Sequence, residues 1–539
     1  MARQHRILRL PRHAWKLVAF WTLALAVGVA AGYAALGFRL GIAFLQQNFY
    51  GADDTMLASQ LSSLNTGLVI GIPILGGLAV GLLMWRLTDD GRVRSVAHVI
   101  EGAALYDGRV EKRAGLASAL ASLITLSTGG STGREGPVVH LAAVISSWVA
   151  NRIRADGITG RDLLGCAVAA AVAASFNAPI AGAIFAHEVV LRHFAIHALA
   201  PITIAAVAGS VVSRLHLGDA PEFELPSHNL AFYAELPAFL LLGLLCGLVA
   251  VALIRGVFWA EDTGNALQRR WRLPSWARPG ITGAMLGLIA TQFPHIIGVG
   301  YETTFRALSG DLLIGTAILF ALIKAIAVAI TLAGRMGGGV FSPALMLGAL
   351  TGFAFGEVAT GIAPGLSGAV TLYALAGTGA VAAAVLGAPI STTLIIFELT
   401  GDWQTGIAVM LSVSTATAIS SRMVQGSFFL AQLHRARKNL ISGPADYLPS
   451  TLPVRPLIRP VASAGEPAAL ARLIAKGKHL DEHDSLARAL PMFGAGTEPV
   501  LPVTRCGQEG PVPIGVLHEA DALRSFNRAL AAAAREEHS

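Results

Sequence analysis

The chain has 539 residues, of which 54% are hydrophobic and only 14% are charged, and its mean hydropathy is +0.61. A soluble globular domain carries about 25% charged residues, so these proportions exclude a soluble globular protein, a disordered chain and a collagen, and three cysteines are too few for a disulfide-stapled secreted fold. The net charge of +7 is concentrated at the ends of apolar stretches, which indicates the positive-inside pattern of a polytopic membrane protein rather than nucleic-acid binding.

The first predicted element is an apolar helix over about residues 17–45. The basic residues that precede it are Arg3, His5, Arg6, Arg9, Arg12, His13 and Lys16. A signal peptide has an apolar core of about 7–15 residues, and this stretch is longer. We therefore expect a retained first helix with a cytoplasmic N-terminus.

Further apolar stretches follow at 66–86, 114–126, 137–150, 163–175, 179–191, 197–214, 231–258, 279–296, 312–333, 343–363, 368–386, 388–400 and 404–420. Several are shorter than the about 20 residues that a simple span needs. Broken backbone at membrane depth is tolerated only where it is buried in protein or lines a polar cavity. The short stretches therefore predict re-entrant and broken helices around a binding site.

Two pairs of motifs recur in the same order in both halves of the apolar region. The first has the form Gly-x-x-x-Pro, follows a glycine-rich turn and opens an apolar helix, at 133–137 and 339–343. The second is Ala-Pro-Ile followed by a glutamate nine residues past the proline, at 178–188 and 388–398. This arrangement predicts an internal duplication. The sequence leaves open whether the repeats are inverted, which is a common plan in transporters.

The Gly-x-x-x-Pro motifs predict an anion site built from helix starts. A helix N-terminus presents unpaired N–H groups and a partial positive charge, proline is tolerated there, and glycine lets the backbone approach an ion closely. We expect both motifs to form one site, with the N–H groups of Val340 and Phe341 as donors. Such a site binds an anion without a full positive charge, which permits release.

Glu135 lies in the first motif, where an anion is expected. A charged group in the middle of a membrane costs about 2.5–3.5 kcal/mol on insertion scales, but a helix N-terminus compensates a carboxylate. We interpret Glu135 as a plug that occupies the anion site and leaves when protonated, which makes it both gate and proton carrier. The alternative is a structural glutamate that pairs with Arg134 or caps its own helix.

The composition changes after about residue 433. A basic segment at 434–438 ends the apolar region, and six prolines between 444 and 467 are typical of a stiff linker. Beyond it we predict strands at 499–503 and 513–517, the first at a sheet edge because of its prolines, and an amphipathic helix at 519–537. The predicted parts are a transmembrane domain at 1–435, a linker at 436–470 and a small α+β domain at 471–539.

These motifs resemble the signature of the CLC family of chloride channels and transporters. The matching residues are Gly133-Arg134-Glu135-Gly136-Pro137, Phe176-Asn177-Ala178-Pro179 and Gly339-x-Phe341-x-Pro343. Their order and spacing match over about residues 20–435. The resemblance implies an all-α polytopic membrane fold with inverted repeats, a homodimer with one pore in each subunit, Glu135 as the external gate, and a central anion bound by the N–H groups of Val340 and Phe341.

The resemblance also predicts which residues line the anion site, with two departures from the family pattern. The predicted residues are Arg94, Ser95, Gly133, Arg134, Gly136, Pro137, Gly339, Val340, Phe341, Ser342, Pro343 and Phe429. The family's Gly-Ser-Gly-Ile-Pro motif is absent at 93–98, where Arg94 or Ser95 takes the serine position; a basic residue there either strengthens anion binding or points away. The tyrosine that closes the inner side is replaced by Phe429.

A third departure concerns the internal proton site. Exchangers of the family often carry a glutamate just after the position of Glu188, and this chain has Val189 there, like members that act as channels. His187 directly precedes Glu188, His140 lies five residues after Glu135, and histidine titrates near neutral pH. We interpret both histidines first as packed or capped residues.

The segment at about 480–530 resembles a single CBS module, through its predicted helix, two strands and helix. Family members often carry two modules, and two single modules are able to pair across a dimer. The resemblance leaves adenine-nucleotide binding open and favours a regulatory or assembly role without a ligand.

Residues 129–133 also fit the Gly-x-Ser-x-Gly pattern of serine hydrolases, with Ser131 as the nucleophile. That motif needs a preceding strand and His and Asp partners, whereas an apolar, helical run precedes Ser131. We therefore expect no enzyme. The sequence contains neither His-Glu-x-x-His nor a P-loop motif, and we expect no metal and no cofactor.

The sequence as a whole predicts an anion transporter with a small cytoplasmic CBS-like domain, in the plasma membrane of a bacterium, with both termini in the cytoplasm. The expected partners are chloride or another small anion (nitrate, bromide or fluoride), protons, membrane lipid and a second copy of the chain. Glu135 favours proton-coupled exchange, whereas Val189 and Phe429 favour passive conduction. A sensor with minor transport is a third alternative, and an intramembrane serine hydrolase is a remote one.

Overall fold

A computed structural model describes residues 12–218, 235–364, 367–438, 440, 448–449, 452–461, 467–494, 498–507 and 510–538. The chain divides into two compact units, Met1–Ala431 and Gln432–Ser539. The first unit is helical, as the composition predicts, and the second combines helices with a small sheet.

The first half of the helical unit contains the first predicted anion motif. Its helices are α1 (Arg12–Tyr50), α2 (Leu57–Leu61), α3 (Thr66–Leu87), α4 (Val96–Leu105), α5 (Lys112–Ser127), α6 (Glu135–Arg152), α7 (Gly157–Phe176), α8 (Pro179–Phe185) and α9 (Ile196–Leu217). Helix α8 continues into a π-helical turn, Ala186–Leu191. The first helix begins earlier and ends later than predicted, because the arginine and lysine that precede the apolar run are themselves good helix formers.

The second half repeats this order around the second motif. Its helices are α10 (Leu236–Arg270), α11 (Arg278–Ala290), α12 (Tyr301–Ser309), α13 (Ile314–Ala333), α14 (Phe341–Ile362), α15 (Val370–Leu386), α16 (Pro389–Thr400), α17 (Trp403–Met423) and α18 (Phe428–Arg435). A 3₁₀ turn, Pro294–Ile296, precedes α12.

Within the described residues, eight apolar helices are long enough to cross a membrane. Four apolar helices are shorter, namely Val96–Leu105, Pro179–Leu191, Val370–Leu386 and Pro389–Thr400. The short helices at 179 and 389 confirm the predicted breaks. Helix α16 ends where predicted, because Gly401 adopts a left-handed conformation with φ of 65° and its N–H caps the carbonyl of Phe397.

The duplication relates α6 to α14, α7 to α15, α8 to α16 and α9 to α17. Helices α7 and α15 are the most deeply buried pair, and they are rich in alanine. Small side chains let neighbouring helices pack closely in an apolar environment. The two alanine-rich helices therefore form the centre of the unit, with α6 and α9 against α7, and α14 and α17 against α15.

The repeats are joined by a reciprocal pair of glutamate caps. Glu188 accepts hydrogen bonds from the N–H groups of Ile390 (2.9 Å) and Ser391 (2.8 Å) and from the Ser391 hydroxyl (2.8 Å), at the start of α16. Glu398 accepts them from the N–H groups of Ile180 (3.0 Å) and Ala181 (2.8 Å), at the start of α8. Each glutamate of the second motif pair thus compensates the helix start of the other repeat.

Removing either cap is expected to destabilise the helical unit. Each N–H group left without a partner costs about 1–3 kcal/mol, so we expect Glu188→Ala, which loses three bonds, to lower the apparent melting temperature more than Glu398→Ala, which loses two. Differential scanning fluorimetry of the purified protein measures this. Glu357→Ala, at an exposed position of α14, is the matched control, and equal melting temperatures for all three variants would contradict the capping role.

The small unit confirms the predicted run of helix, two strands and helix. Its elements are α19 (Pro467–Ala475), β1 (Leu480–Asp481), α20 (Leu486–Gly494), β2 (Val500–Gly507), β3 (Gly510–His518) and α21 (Glu519–His538), with a 3₁₀ turn at Arg455–Leu457. Strand β2 pairs in parallel with β1 and antiparallel with β3. Its core includes Val454, Leu486, Phe493, Leu501 and Leu517.

Two details of this unit differ from the sequence prediction. Strand β2 lies in the middle of the sheet, not at its edge. Prolines are tolerated there because β1 is only two residues long and pairs with Val503 and Thr504, so Pro502 lies beyond its end. Residues 452–461, assigned to the linker, pack in this unit: Val454 is fully buried, and the backbone of Arg459 pairs with Val516.

Candidate functional site

The two predicted anion motifs meet through their backbones. The N–H of Gly133 donates to the carbonyl of Gly339, and the N–H of Gly339 donates to the carbonyl of Gly133, both at 2.8 Å. The Thr132 hydroxyl also donates to the carbonyl of Gly339 at 2.8 Å. This antiparallel bridge joins the α5–α6 loop (residues 128–134) to the α13–α14 loop (residues 334–340), and it brings the N-termini of α6 and α14 together.

Glycine is required where these loops touch. A Cβ on Gly136 would lie 3.2 Å from the Cα of Gly339, and a Cβ on Gly133 would lie 3.0 Å from the backbone N of Ser342. Contacts this short leave little room for a side chain. The glycines of the two motifs therefore allow two helix starts to share one small volume.

Glu135 is the first residue of α6, and its carboxylate lies at the start of α14. The Ser342 hydroxyl donates to Oε1 at 2.5 Å. The other carboxylate oxygen, Oε2, lies beside Gly133. A Cβ added to Gly133 would be 2.7 Å from Oε2 and 3.0 Å from the backbone N of Ser342. The side chain is only 3% exposed. A negative group therefore lies where the helix N-termini favour negative charge.

Arg134 lies beside Glu135 but is held by an aromatic ring. Its guanidinium lies 4.9 Å from the centre of the Tyr301 ring, and its Nε is 3.9 Å from Oε1 of Glu135. The contact with the carboxylate is longer than a hydrogen bond, whereas the ring contact is a cation–π geometry. The geometry thus gives Glu135 a closer partner in Ser342 than in Arg134.

Phe341 packs on the third matched motif. The Phe341 ring lies 4.7 Å from the Phe176 ring and 6.1 Å from the Phe185 ring. Asn177, which follows Phe176, ends α7 in the left-handed conformation, and its amide oxygen accepts a hydrogen bond from Arg214 at 2.6 Å. These contacts hold the start of α14 in place, with Val340, Ser342 and Pro343 all buried.

The start of α4 lies beside the paired loops. Ser95 is its N-cap, in a capping box with His98, and a Cβ on Gly136 would lie 3.7 Å from Val96. His140 of α6 also reaches this point, with Nδ1 3.3 Å from the carbonyl of Ser95. The start of helix α4 therefore lies beside the first turns of α6, and its part in an anion site stays a prediction.

The side chain of Arg94 is bonded to two carboxylates. Its guanidinium lies 2.6 Å from Asp90 and 3.2 Å from Glu111. Of the two interpretations of Arg94, the one in which it points away fits this geometry, because both carboxylates compete with an anion for the guanidinium. The contacts of Arg94 give it a structural role, holding the α3–α4 connection to the start of α5.

The structure places the other predicted positions in helix packing. The Phe429 ring lies 5.8 Å from the Phe428 ring, which stacks on Phe258, and these contacts do not involve the paired loops. Val189 is buried in the π-helical turn, beside Glu188, whose carboxylate caps α16. His187 in the same turn is fully buried.

His187 is held through one ring nitrogen. Its Nδ1 lies 3.1 Å from the carbonyl of His193, and the ring stacks on Phe194. Among the described residues its Nε2 has no hydrogen-bond partner. π-Helical turns often occur at functional sites, but the contacts of His187 are those of a packed, capped residue, as the sequence analysis expects.

A polar cluster next to the α5–α6 loop was missed from the sequence. Lys324 of α13 is fully buried, and its ammonium donates to the carbonyls of Ile296 (3.1 Å) and Gly298 (3.0 Å). Asp54 accepts a hydrogen bond from Gln46 at 2.9 Å. Burial raises the pKa of Asp54, more than this bond and the charges of Arg134 and Lys324 lower it. The visible signal was a lysine inside an apolar span.

The serine-hydrolase pattern lacks its structural context. Ser131 is fully buried, and its hydroxyl has no hydrogen-bond partner among the described residues. Helix α5 precedes it, where a nucleophile elbow needs a strand. Its N–H donates to Thr331 at 3.1 Å, so the segment is part of the loop contacts rather than a nucleophile site.

Known proteins are similar to this chain in sequence and in fold. The family described as voltage gated chloride channel matches residues 76–421. A ClcB-like chloride channel protein of Ralstonia nicotianae is 30% identical over 423 residues, which are 78% of this chain and 97% of that protein. Among solved structures, a slow cyanobacterial Cl⁻/H⁺ antiporter matches with a TM-score of 0.68 at 21% identity, over 77% of this chain and 97% of that chain.

A eukaryotic CLC transporter structure matches with a TM-score of 0.66 at 19% identity, over 96% of this chain and 89% of that chain. At such identities the structural matches establish the fold, and the sequence matches establish the relationship. The family match covers more than half of the chain and includes both paired loops. With its long apolar helices this is an integral, multi-pass membrane protein, and it belongs to the CLC family of voltage-gated chloride channels.

Proposed function

We propose that this protein moves chloride, or another small anion, across a membrane and that Glu135 gates the pathway. The observation that carries the proposal is the position of the Glu135 carboxylate, at the start of α14 and 2.5 Å from the Ser342 hydroxyl. A carboxylate held by helix N-termini occupies a place that a small anion would otherwise take. Protonation removes its charge, weakens this hold and lets an anion replace it.

Proton-coupled exchange is the mechanism that we propose. Glu135 is a titratable group at the anion site itself. Each time its side chain leaves the site and returns, it is able to carry a proton. Val189 lacks a titratable side chain at the family's internal proton position, and this favours the alternative, a passive channel. We expect protons to reach Glu135 from the inside through water rather than through a glutamate at position 189.

We propose that the loops rich in arginine and lysine face the cytoplasm, together with both termini. Arg109, between α4 and α5, donates to Asn151 (3.0 Å) and to the carbonyl of Ala155 (2.6 Å), which puts the α4–α5 and α6–α7 connections on one side. Further basic residues flank the same two connections: Lys112 and Arg113 begin α5, Arg152 ends α6, and Arg154 lies between α6 and α7. Basic loops of this kind stay in the cytoplasm.

A homodimer is proposed for the assembly. Exposed isoleucines lie at the starts of the two helices that share the reciprocal caps, Ile180 on α8 (55% exposed) and Ile390 on α16 (50%). Ile196, the first residue of α9, is also exposed (75%). Contacts between helices α8 and α16 make these positions neighbours. A second copy of the chain is the occupant that we propose for this face, as the resemblance implies.

The small unit is proposed to act in assembly or regulation without a nucleotide. Asp521 of α21 is bonded to the guanidinium of Arg459, at 2.6 and 2.9 Å, and to that of Arg524 at 2.8 Å. The bond with Arg459 holds the pKa of this carboxyl below its usual range. A carboxylate engaged by two arginines is less available to a ligand hydroxyl.

The test is chloride-driven proton movement in proteoliposomes that contain the purified protein. We expect an outward chloride gradient to drive protons inward against their own gradient. Rapid chloride flux without uphill proton movement would show that the protein is a passive channel and not an exchanger. Absence of any anion flux, with anion binding retained, would overturn transport and favour the sensor.

A further inference from the structure

A cavity of about 410 Å³ lies away from the paired loops. It is lined by Arg92, Asn265, Gln268, Arg269, Leu273 and Arg335. These residues come from three places: the α3–α4 connection, the C-terminal end of α10 with the residues after it, and the α13–α14 loop. The volume is in the range of small-molecule sites.

Three of the residues that line the cavity are arginines. In the described part of the chain, Arg92, Arg269 and Arg335 form no ion pair with a carboxylate. Burial and the charge of Arg92 lower the pKa of Arg335, although Glu261 and Asp90 act in the opposite direction. Asp90 is bonded to Arg94. Clustered guanidinium groups that form no ion pair with a carboxylate repel one another, so an anion between them is stabilising.

A neutral group of the cavity orients one of its arginines, Arg335. The amide oxygen of Asn265 accepts hydrogen bonds from Arg278 (2.7 Å) and Arg335 (3.3 Å). The amide oxygen of Gln268 accepts one from Arg278 at 2.9 Å. Arg278 is buried and also donates to the carbonyl of Ala333. A second layer of polar contacts thus holds the guanidinium of Arg335 in a fixed place, which is a feature of built anion sites.

We propose that this cavity binds a phosphate-bearing anion. Guanidinium groups bind phosphate oxygens through paired, charge-assisted hydrogen bonds, and three arginines surround a volume that is larger than a phosphate group. The ligand is either a soluble phosphate compound or the headgroup of an anionic lipid, because both present the same group. The site is separate from the chloride pathway and does not depend on the function of Glu135.

Binding here would act on the transport site through the chain. Arg335 lies in the loop that leads to the bridge at Gly339. Two residues after Arg335, the N–H of Gly337 donates to the Thr125 hydroxyl at 3.0 Å. Arg92 is three residues from Ser95, the N-cap of α4. A ligand that holds both arginines restrains two of the three helix starts around Glu135.

The test compares two probes on the purified full chain in detergent: inorganic pyrophosphate, followed by calorimetry, and dioctanoyl phosphatidic acid, followed by native mass spectrometry. Arg92→Gln/Arg335→Gln is expected to weaken binding of at least one probe 10-fold or more. The exposed Arg152→Gln at the end of α6 is the matched control and should change affinity less than twofold. The charge-conserving Arg92→Lys/Arg335→Lys serves if the glutamine variant does not fold, and it should bind more weakly through loss of paired hydrogen bonds.

The probe whose affinity falls in the cavity variants identifies the kind of phosphate ligand. Loss for pyrophosphate alone indicates a soluble phosphate ligand, loss for phosphatidic acid alone indicates a lipid headgroup, and loss for both indicates that the phosphate group suffices. Equal binding by the wild type and both cavity variants would overturn the proposal, and so would no binding of either probe to the wild type at 1 mM. None of these outcomes depends on chloride or proton flux.

Discussion

Glu135→Gln is expected to abolish chloride-driven proton movement while chloride flux continues. Glutamine keeps the size of the side chain and its ability to accept a hydrogen bond from the Ser342 hydroxyl, which now lies 2.5 Å from Oε1. It has no proton to release and no charge to be held by the helix N-termini. The plug is therefore weaker, and chloride flux should equal or exceed that of the wild type. The proton flux should fall at least 10-fold.

Chloride-selective and pH electrodes, applied to the same proteoliposomes, measure both fluxes. Wild-type chloride flux should rise as the pH falls, because protonation removes the plug, whereas the variant should show a flat pH profile. Glu357→Gln, an exposed carboxylate on α14, is the control and should leave the ratio of protons to chloride unchanged. A Glu135→Gln variant that keeps this ratio would show that protons travel by another group.

Much of the helical unit was predictable because the residues that start and end its helices act locally. Proline at a helix start, glycine at a helix end and a run of apolar residues act within a few positions. The starts of α8 and α16 at Pro179 and Pro389 followed from such signals. The duplicated motifs also predicted that 133–137 and 339–343 belong together, and the bridge between Gly133 and Gly339 confirms it.

Contacts across the repeats were not predictable from a single sequence. The glutamates at 188 and 398 stood out by their spacing, but nothing local shows that each caps the helix of the other repeat. The direction of Arg94 depends on Asp90 and Glu111, and the latter lies 17 residues away. Such pairings are set by the packing of whole helices, and the side-chain pattern of one helix does not specify them.

Polar groups in the interior follow the same rule. Lys324 was visible as a charge in an apolar span, but its partners are backbone carbonyls at 296 and 298, which carry no sequence signal. The prolines of β2 are tolerated in the middle of the sheet because β1 is short and ends at Asp481. The sequence did not predict contacts made with backbone groups, or contacts that depend on where a strand ends.

Gly338→Ala is expected to have the largest effect on folding of any substitution in the paired loops. Gly338 has φ of +134°, where L residues are strained, and an added Cβ would lie 2.0 Å from the Thr132 hydroxyl oxygen. Overpacking costs about 1–3 kcal/mol, and a strained backbone costs about 1–3 kcal/mol more. Since whole domains are stable by about 5–15 kcal/mol, we expect little monodisperse protein in size-exclusion chromatography and a lowered melting temperature.

The design separates the clash from the backbone strain. Thr132→Gly in the Gly338→Ala background removes the clashing side chain, so it should restore part of the yield. Thr132→Gly alone gives the cost of losing the Thr132 hydrogen bond to Gly339. The further loss in the double variant measures the strain at φ of +134°. Gly315→Ala is the control, because no atom lies within 4 Å of its added Cβ and it is the second residue of α13; it should not lower the stability, since alanine is a better helix former than glycine. Wild-type yield, melting temperature and chloride flux in Gly338→Ala would contradict the close approach of the two loops. A folded Gly338→Ala protein without chloride flux would instead place the effect at the anion site, since the bridge that holds both helix starts lies one residue further along the chain.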